Sequence, residues 1–193
     1  MSDSHDQPIM TPFEPIDQSD QNLSPAVLAA LRGCSPTRPT PPLRLFTTFE
    51  NGVADVSHKH YAIGDYPDML TNKYQLVCPR DECRSIILRE GVARLEEREA
   101  VQMQPSHLEL HPLMLPIPEA PEKSSWWLVG PTPMEFDNIG FSKTVDSVPL
   151  SPNGKKIKLL SCAECDLGPI GWCEEGGKEF WLACSRVGYR YIE

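Results

Sequence analysis

Ser161-Cys162-Ala163-Glu164-Cys165-Asp166-Leu167-Gly168-Pro169-Ile170-Gly171-Trp172 is the stretch on which the reading of this chain turns. Two cysteines stand with two residues between them, and a Gly-Pro turn and a tryptophan follow. A second close pair lies far upstream, in Cys78-Pro79-Arg80-Asp81-Glu82-Cys83. Structural zinc sites draw their thiolates from pairs spaced in this way, four sulfurs to one tetrahedral ion. Cys78, Cys83, Cys162 and Cys165 are therefore read as the ligands of one structural zinc. Four thiolates leave no open position for water, which argues for a brace rather than a metal catalyst. The competing reading, two disulfides, needs an oxidising compartment. No apolar signal segment opens the sequence, so a reducing, cytoplasmic setting is expected.

Composition narrows the function classes. The chain has 193 residues and a formal net charge of -9. Neither the part before Lys73 nor the part after it is basic. A nucleic-acid partner is disfavoured, because such binding rests on Lys and Arg neutralising phosphates. No apolar run of about 18 residues appears, so no membrane insertion is expected.

Residues 1–42 are rich in Pro, Ser, Asp and Gln and read as a disordered tail. One island, Ser24-Pro25 through Leu31-Arg32-Gly33, carries the start and stop signals of a short transient helix at about 25–32. Cys34 reads as a spare thiol. Residues 43–72 form a hairpin or linker extension. Asn51-Gly52 between β-prone runs predicts its turn, and His58 and His60 on its second arm read as solvent-facing.

From residue 73 to 193 the chain reads as one zinc-binding domain. Tyr74–Val77 and Ser85–Leu88 flank the first pair as strand, knuckle, strand. Gly91–Leu95 would continue the second strand after a turn. Glu96-Glu97-Arg98-Glu99 reads as a solvated charge run. A proline-rich insertion at about 103–125 is excluded from central strands. Within it His107 and His111 have helical metal spacing but nothing to complete a site. Trp126–Val129 reads as a strand and Asn153-Gly154 as a hairpin turn. Phe180–Val187 reads as the closing strand. Cys184 within it is a buried apolar thiol, and Cys173 sits beside Glu174 and Glu175, a setting unfavourable to a thiolate.

Leu160 to Trp172 closely resembles the second zinc knuckle of the mammalian suppressor of SEC-four family, the Rab-interacting factors, whose yeast relative is the dominant suppressor of SEC-four. Trp127-Leu128-Val129, Phe136 to Phe141 and Phe180 to Val187 are similar to other segments of that family. The resemblance covers roughly Tyr74 to Val187, with gaps. It implies a mainly β fold, twisted antiparallel sheets in a β-tent pinned by one four-cysteine zinc. It also implies a monomer that is not an enzyme but a guanine nucleotide exchange factor. Its partner would be a nucleotide-free exocytic Rab GTPase, in post-Golgi vesicle transport, with peripheral membrane association through the Rab. By position, Trp127, Met134, Phe136, Asp137, Asn138 and Glu164 would contact the Rab. Two other readings compete. One is a holdase for empty Rab without useful exchange. The other is an enzyme similar to B-type methionine sulfoxide reductases, with Cys184 as nucleophile.

Overall fold

The computed structural model describes residues 42–60, 69–105, 107 and 109–191. Of the tail expected over residues 1–42, residues 1–41, with the short helix and Cys34, lie outside them. Among the described residues the fold is mainly β: β1 (Arg44–Leu45), β2 (Ser57–His60), β3 (Met69–Asn72), β4 (Gln75–Val77), β5 (Ile86–Leu88), β6 (Arg94–Glu99), β7 (Lys123–Val129), β8 (Ile139–Thr144), β9 (Ile157–Cys162), β10 (Gly171–Glu174), β11 (Phe180–Ala183) and β12 (Gly188–Arg190). One four-residue helix, α1 (Val53–Val56), and three 3-10 turns complete it. The strands form two sheets. A four-stranded sheet runs β1-β12-β4-β5, and an eight-stranded sheet runs β2-β3-β6-β7-β11-β10-β9-β8. Every paired neighbour is antiparallel.

The central strands of the larger sheet, β7, β11, β10 and β9, are buried on both faces, and the period-two geometry of strands shows how. Along β7, Trp127 and Val129 enter one apolar cluster while Trp126 and Leu128 enter another. Along β11, Phe180 and Leu182 go one way and Trp181 and Ala183 the other. β9 divides in the same manner, with Leu160 and Cys162 opposite Ile157 and Leu159. The first cluster lies against Leu76, Ile87, Leu88 and Tyr189 of the smaller sheet. The second is roofed by Val101, Met103, Ile117 and Val148 from the irregular connections. The proline-rich insertion is thus a cover for the sheet. Gln102 fastens it, its Nε2 donating to the carbonyls of Ile117 at 2.9 Å and Pro118 at 2.8 Å.

Three buried polar anchors join these layers. The Tyr189 hydroxyl donates to the Cys184 carbonyl at 2.7 Å and accepts from Trp127 Nε1 at 3.1 Å, tying β12 to β7. Arg186 is buried; its Nε reaches the Leu115 carbonyl at 2.9 Å and its Nη1 the Pro169 carbonyl at 2.8 Å. Burial pulls its pKa down to about 10. Asn72 accepts from the Ala93 N–H at 2.8 Å and donates to the carbonyls of Arg89 and Tyr74 at 2.8 and 2.9 Å.

Several local expectations change. The Asn51-Gly52 hairpin does not form. Gly52, at φ 56°, precedes α1, and Asp55 folds back on Asn51, accepting from its N–H at 3.0 Å and from its Nδ2 at 3.1 Å. Residues 43–72 give β1 to one sheet and the β2–β3 pair to the other. β6 joins the large sheet instead of extending β5. Its charge run is only partly solvated, since Arg98 lies 4.2 Å over the Trp181 ring and 5.2 Å over Trp172. The closing strand breaks at a 3-10 turn, Cys184–Arg186, and resumes as β12 in the other sheet. Asn153-Gly154, by contrast, does lie in the turn of a hairpin, the connection between antiparallel β8 and β9, where the Gly154 N–H bonds the Ser151 carbonyl at 2.8 Å.

Candidate metal centre and partner-facing segment

The two knuckles are built alike. In the first, the Cys78 N–H donates to the Ser85 carbonyl at 2.9 Å. In the second, the Cys162 N–H donates to the Leu167 carbonyl at 3.0 Å. Each acceptor stands two residues beyond the second cysteine of its pair. The residue between, Arg84 or Asp166, has φ of 49° or 57°. That left-handed turn reverses the chain so that both sulfurs of a pair face one point. Asp adopts it readily and Arg rarely does, so Arg84 gave no signal in the sequence. Arg80 Nη1 also reaches the Cys165 carbonyl at 3.3 Å, joining the knuckles.

The four sulfurs converge, all within 4.8 Å of one another. Cys78 Sγ is 3.6 Å from Cys165 Sγ, and Cys83 Sγ is 3.7 Å from Cys162 Sγ. A tetrahedron with metal–sulfur bonds of about 2.3 Å has an edge of about 3.8 Å. The spacing fits a metal ion, and the all-sulfur donor set favours a soft or borderline one. Among the described residues no other group of three or more His, Cys, Asp or Glu side chains is so placed. His111 instead accepts from the Leu113 N–H at 3.2 Å.

Electrostatics sets Cys83 apart from Cys78 and Cys162. Burial pushes Cys78 and Cys162 upward. Burial also acts upward on Cys83, but hydrogen bonds from Ser85 and the neighbouring thiols outweigh it and bring the group to about 7. The Ser85 hydroxyl lies 3.2 Å from Cys83 Sγ. A cation between the sulfurs would favour thiolate at every one of these positions.

The segment from Thr132 to Asn138 is secured between the two sheets beside this cluster. The Thr132 side chain caps a 3-10 turn, Pro133–Glu135, by accepting from the Met134 N–H at 3.3 Å. The Asp137 N–H donates to the Ile87 carbonyl at 3.0 Å and Asn138 Nδ2 to the Ile86 carbonyl at 2.9 Å. Both acceptors belong to β5, which leaves the first knuckle. On the other side Ile139 is in register with Cys162 of the second knuckle. Both attachments of this segment therefore run to strands adjoining the cysteine knuckles.

The residues singled out as Rab contacts occupy different environments. Met134 is 83% exposed, the most exposed of the large apolar side chains described. Asp137 and Glu164 also face solvent. Phe136 is half-buried, edge-on to Phe180 at 5.8 Å. Asn138 is half-buried and occupied with β5. Trp127 is a correction: it is fully buried, with its N–H given to Tyr189, and offers no surface to a partner. The reductase reading also loses its nucleophile. Cys184 is buried and its thiol is held well above the ordinary value by burial. Cys173 is likewise buried, and burial, opposed by Lys158, raises it to about 11. The buried setting, rather than the neighbouring acids, keeps it a thiol.

Comparison with known proteins identifies the architecture. A family model described as Mss4 protein matches residues 71–189, which includes both knuckles and the segment between the sheets. This chain belongs to the Mss4 family. A relative from Drosophila melanogaster, named a guanine nucleotide exchange factor MSS4 homolog, is 30% identical over 135 residues, covering 65% of this chain and 94% of the relative. A Schizosaccharomyces pombe protein of the same name is 42% identical over 53 residues, 28% of this chain and 45% of that protein. The Mss4 match begins at Thr71, so β1, β2 and the first half of β3 lie upstream of it. Both relatives carry the name of a guanine nucleotide exchange factor homolog, a name that points to a GTPase regulator.

Proposed function

We propose that this chain is a zinc-bound guanine nucleotide exchange factor for an exocytic Rab GTPase. It acts as a cytoplasmic monomer in post-Golgi vesicle transport and reaches the vesicle surface through the Rab. Cys78, Cys83, Cys162 and Cys165 hold the zinc, which supplies a cross-link between the sheets and no open coordination position.

One observation carries the reading: Met134 projects into solvent from a backbone held on both sides by strands that enter the metal cluster. An exposed methionine on a braced turn is a contact residue that needs no reordering before it binds. Aromatic residues and Met are enriched at protein interfaces. Phe136, two residues along, anchors the segment edge-on against Phe180, while Asp137 and Glu164 add negative charge. A GTPase holds its nucleotide through phosphate-loop amides, a lysine and magnesium. An acidic, methionine-tipped wedge favours the opened, empty form, because Asp137 can take the lysine that the phosphates release. Binding the empty form more tightly than the loaded form shifts the equilibrium toward release by that difference in affinity. No group on this chain needs to react.

The test is capture from a panel of EDTA-stripped Rab GTPases, followed by stopped-flow release of fluorescent GDP from the Rab captured. Selective capture reversed by GTP with magnesium, and release that accelerates with protein concentration, are expected. Capture without acceleration would make the protein a holdase. A Met134→Ala, Asp137→Ala double variant that keeps full exchange would refute the assigned surface.

A further inference from the structure

The Asp137 carboxylate does not face solvent unaccompanied. Arg89 Nη2 lies 3.1 Å from its Oδ1. The guanidinium side chain is 73% exposed and the carboxylate side chain 27% exposed, so the arginine is the outer member of the pair. The two backbones are tied close to the pair. The Arg89 carbonyl accepts from buried Asn72, and the Asp137 N–H donates to Ile87, two residues before Arg89. The side chains alone are free to separate.

The contact is a single Nη2–Oδ1 approach, without the two parallel bonds that make Arg–carboxylate pairs strong. An ion pair this exposed contributes little and breaks readily. We propose that Arg89 is a displaceable counter-ion. It holds Asp137 in place in the free protein and yields it to a cationic group of the GTPase on binding. The inference rests on the reading above, in which Asp137 faces the phosphate-loop lysine. It adds that Arg89 competes with that lysine and so moderates affinity for the empty GTPase. It is a positioning residue, not a contact that the complex needs.

The sign follows from the charges. Removing the guanidinium leaves Asp137 without its resident cation and raises the negative potential of the segment. A lysine arriving from the partner then displaces nothing. Arg89→Gln is expected to bind the EDTA-stripped Rab about 2- to 5-fold more tightly at low salt, the range in which an exposed ion pair acts. The gain shrinks as salt screens the surface. Arg89→Lys, which keeps the charge, behaves as wild type.

The experiment is a double-mutant cycle. Affinity for the EDTA-stripped Rab captured from the panel is measured at low and high salt for wild type, Arg89→Gln, Arg89→Lys, Asp137→Asn and the Arg89→Gln, Asp137→Asn double variant. Tighter binding by Arg89→Gln that disappears in the Asp137→Asn background supports the proposal. Weaker or unchanged binding by Arg89→Gln, or a gain that persists without the carboxylate, overturns it. A merely structural arginine would lower the melting temperature of Arg89→Gln and leave the salt dependence of binding unmoved, which also overturns it. If Asp137→Asn weakens binding while Arg89→Gln gains nothing, only the counter-ion inference fails. If Asp137→Asn alone changes nothing, the assigned surface falls and this inference with it.

Discussion

Stripping the metal is expected to unfold this domain rather than soften it. The cluster joins the β4–β5 hairpin of the small sheet to β9 of the large one, and the sulfurs stand 3.6 and 3.7 Å apart across that junction. A structural zinc contributes about 10–16 kcal/mol of apparent binding free energy at neutral pH. A whole domain is stable by about 5–15 kcal/mol. Removal therefore takes the net stability to about zero or below. The same outcome is expected for Cys162→Ser, which replaces a buried sulfur ligand by a poor one. The assay is tryptophan emission during chelation, with released zinc followed by a colorimetric dye. Trp126, Trp127, Trp172 and Trp181 are all buried, so unfolding should shift emission to the red. Stoichiometric release of one zinc coincident with that shift is expected. Metal-free protein with the emission and melting temperature of untreated protein would refute the reasoning.

Three further outcomes follow from individual side chains. Tyr189→Phe removes a hydroxyl that serves both Trp127 and Cys184. It leaves two buried groups unpaired, at about 1–3 kcal/mol each, so thermal unfolding should report a loss of about 2–6 kcal/mol. Gly171→Ala would drive a Cβ into the Trp181 carbonyl oxygen between two paired strands; little soluble protein should be recovered, and yield in the soluble fraction measures it. Glu174 is pushed upward by burial, but hydrogen bonds from Ser151, Asn153 and Lys155 outweigh this and lower it below 4.5. A depressed carboxyl stabilises the fold above its unfolded value and loses that contribution as pH falls through its folded value. Wild type should therefore lose stability below about pH 4.5 more steeply than Glu174→Gln, as read from urea midpoints across an acid series.

Features set by near neighbours were legible in the sequence. Each cysteine pair is a local object, and so are the strands that lead into and out of the first knuckle. The coming together of the two pairs followed from valence, since four thiolates complete a tetrahedron. What depended on the other side of a sheet was not legible. Trp126 and Trp127 alternate, one toward each face, and likeness to the family had made Trp127 a partner contact. Both are buried because the large sheet is covered twice, and the second cover is an irregular proline-rich segment with no periodicity to announce it. Met103 and Ile117 reach that roof from fourteen residues apart in sequence. Asn51-Gly52 failed for a related reason. Positive φ at Gly52 suits a hairpin and suits the entry to α1 equally, and Asp55 decided for the helix by capping Asn51. Met134 was placed near a partner by likeness to a family; that its side chain stands clear of the protein is a property only the packed structure has.

The wide separation of the two knuckles has a consequence for biosynthesis. Cys83 and Cys162 are 79 positions apart, and ribosomes add about 5–20 residues per second. The upstream dithiol therefore waits about 4–16 seconds before its counterpart emerges. β1 and β4 wait longer still, because the strand that lies between them, β12, is made last. Through that interval the nascent polypeptide carries half of the sulfur cluster and an unclosed sheet, so an ion held by all four sulfurs would have to be loaded late.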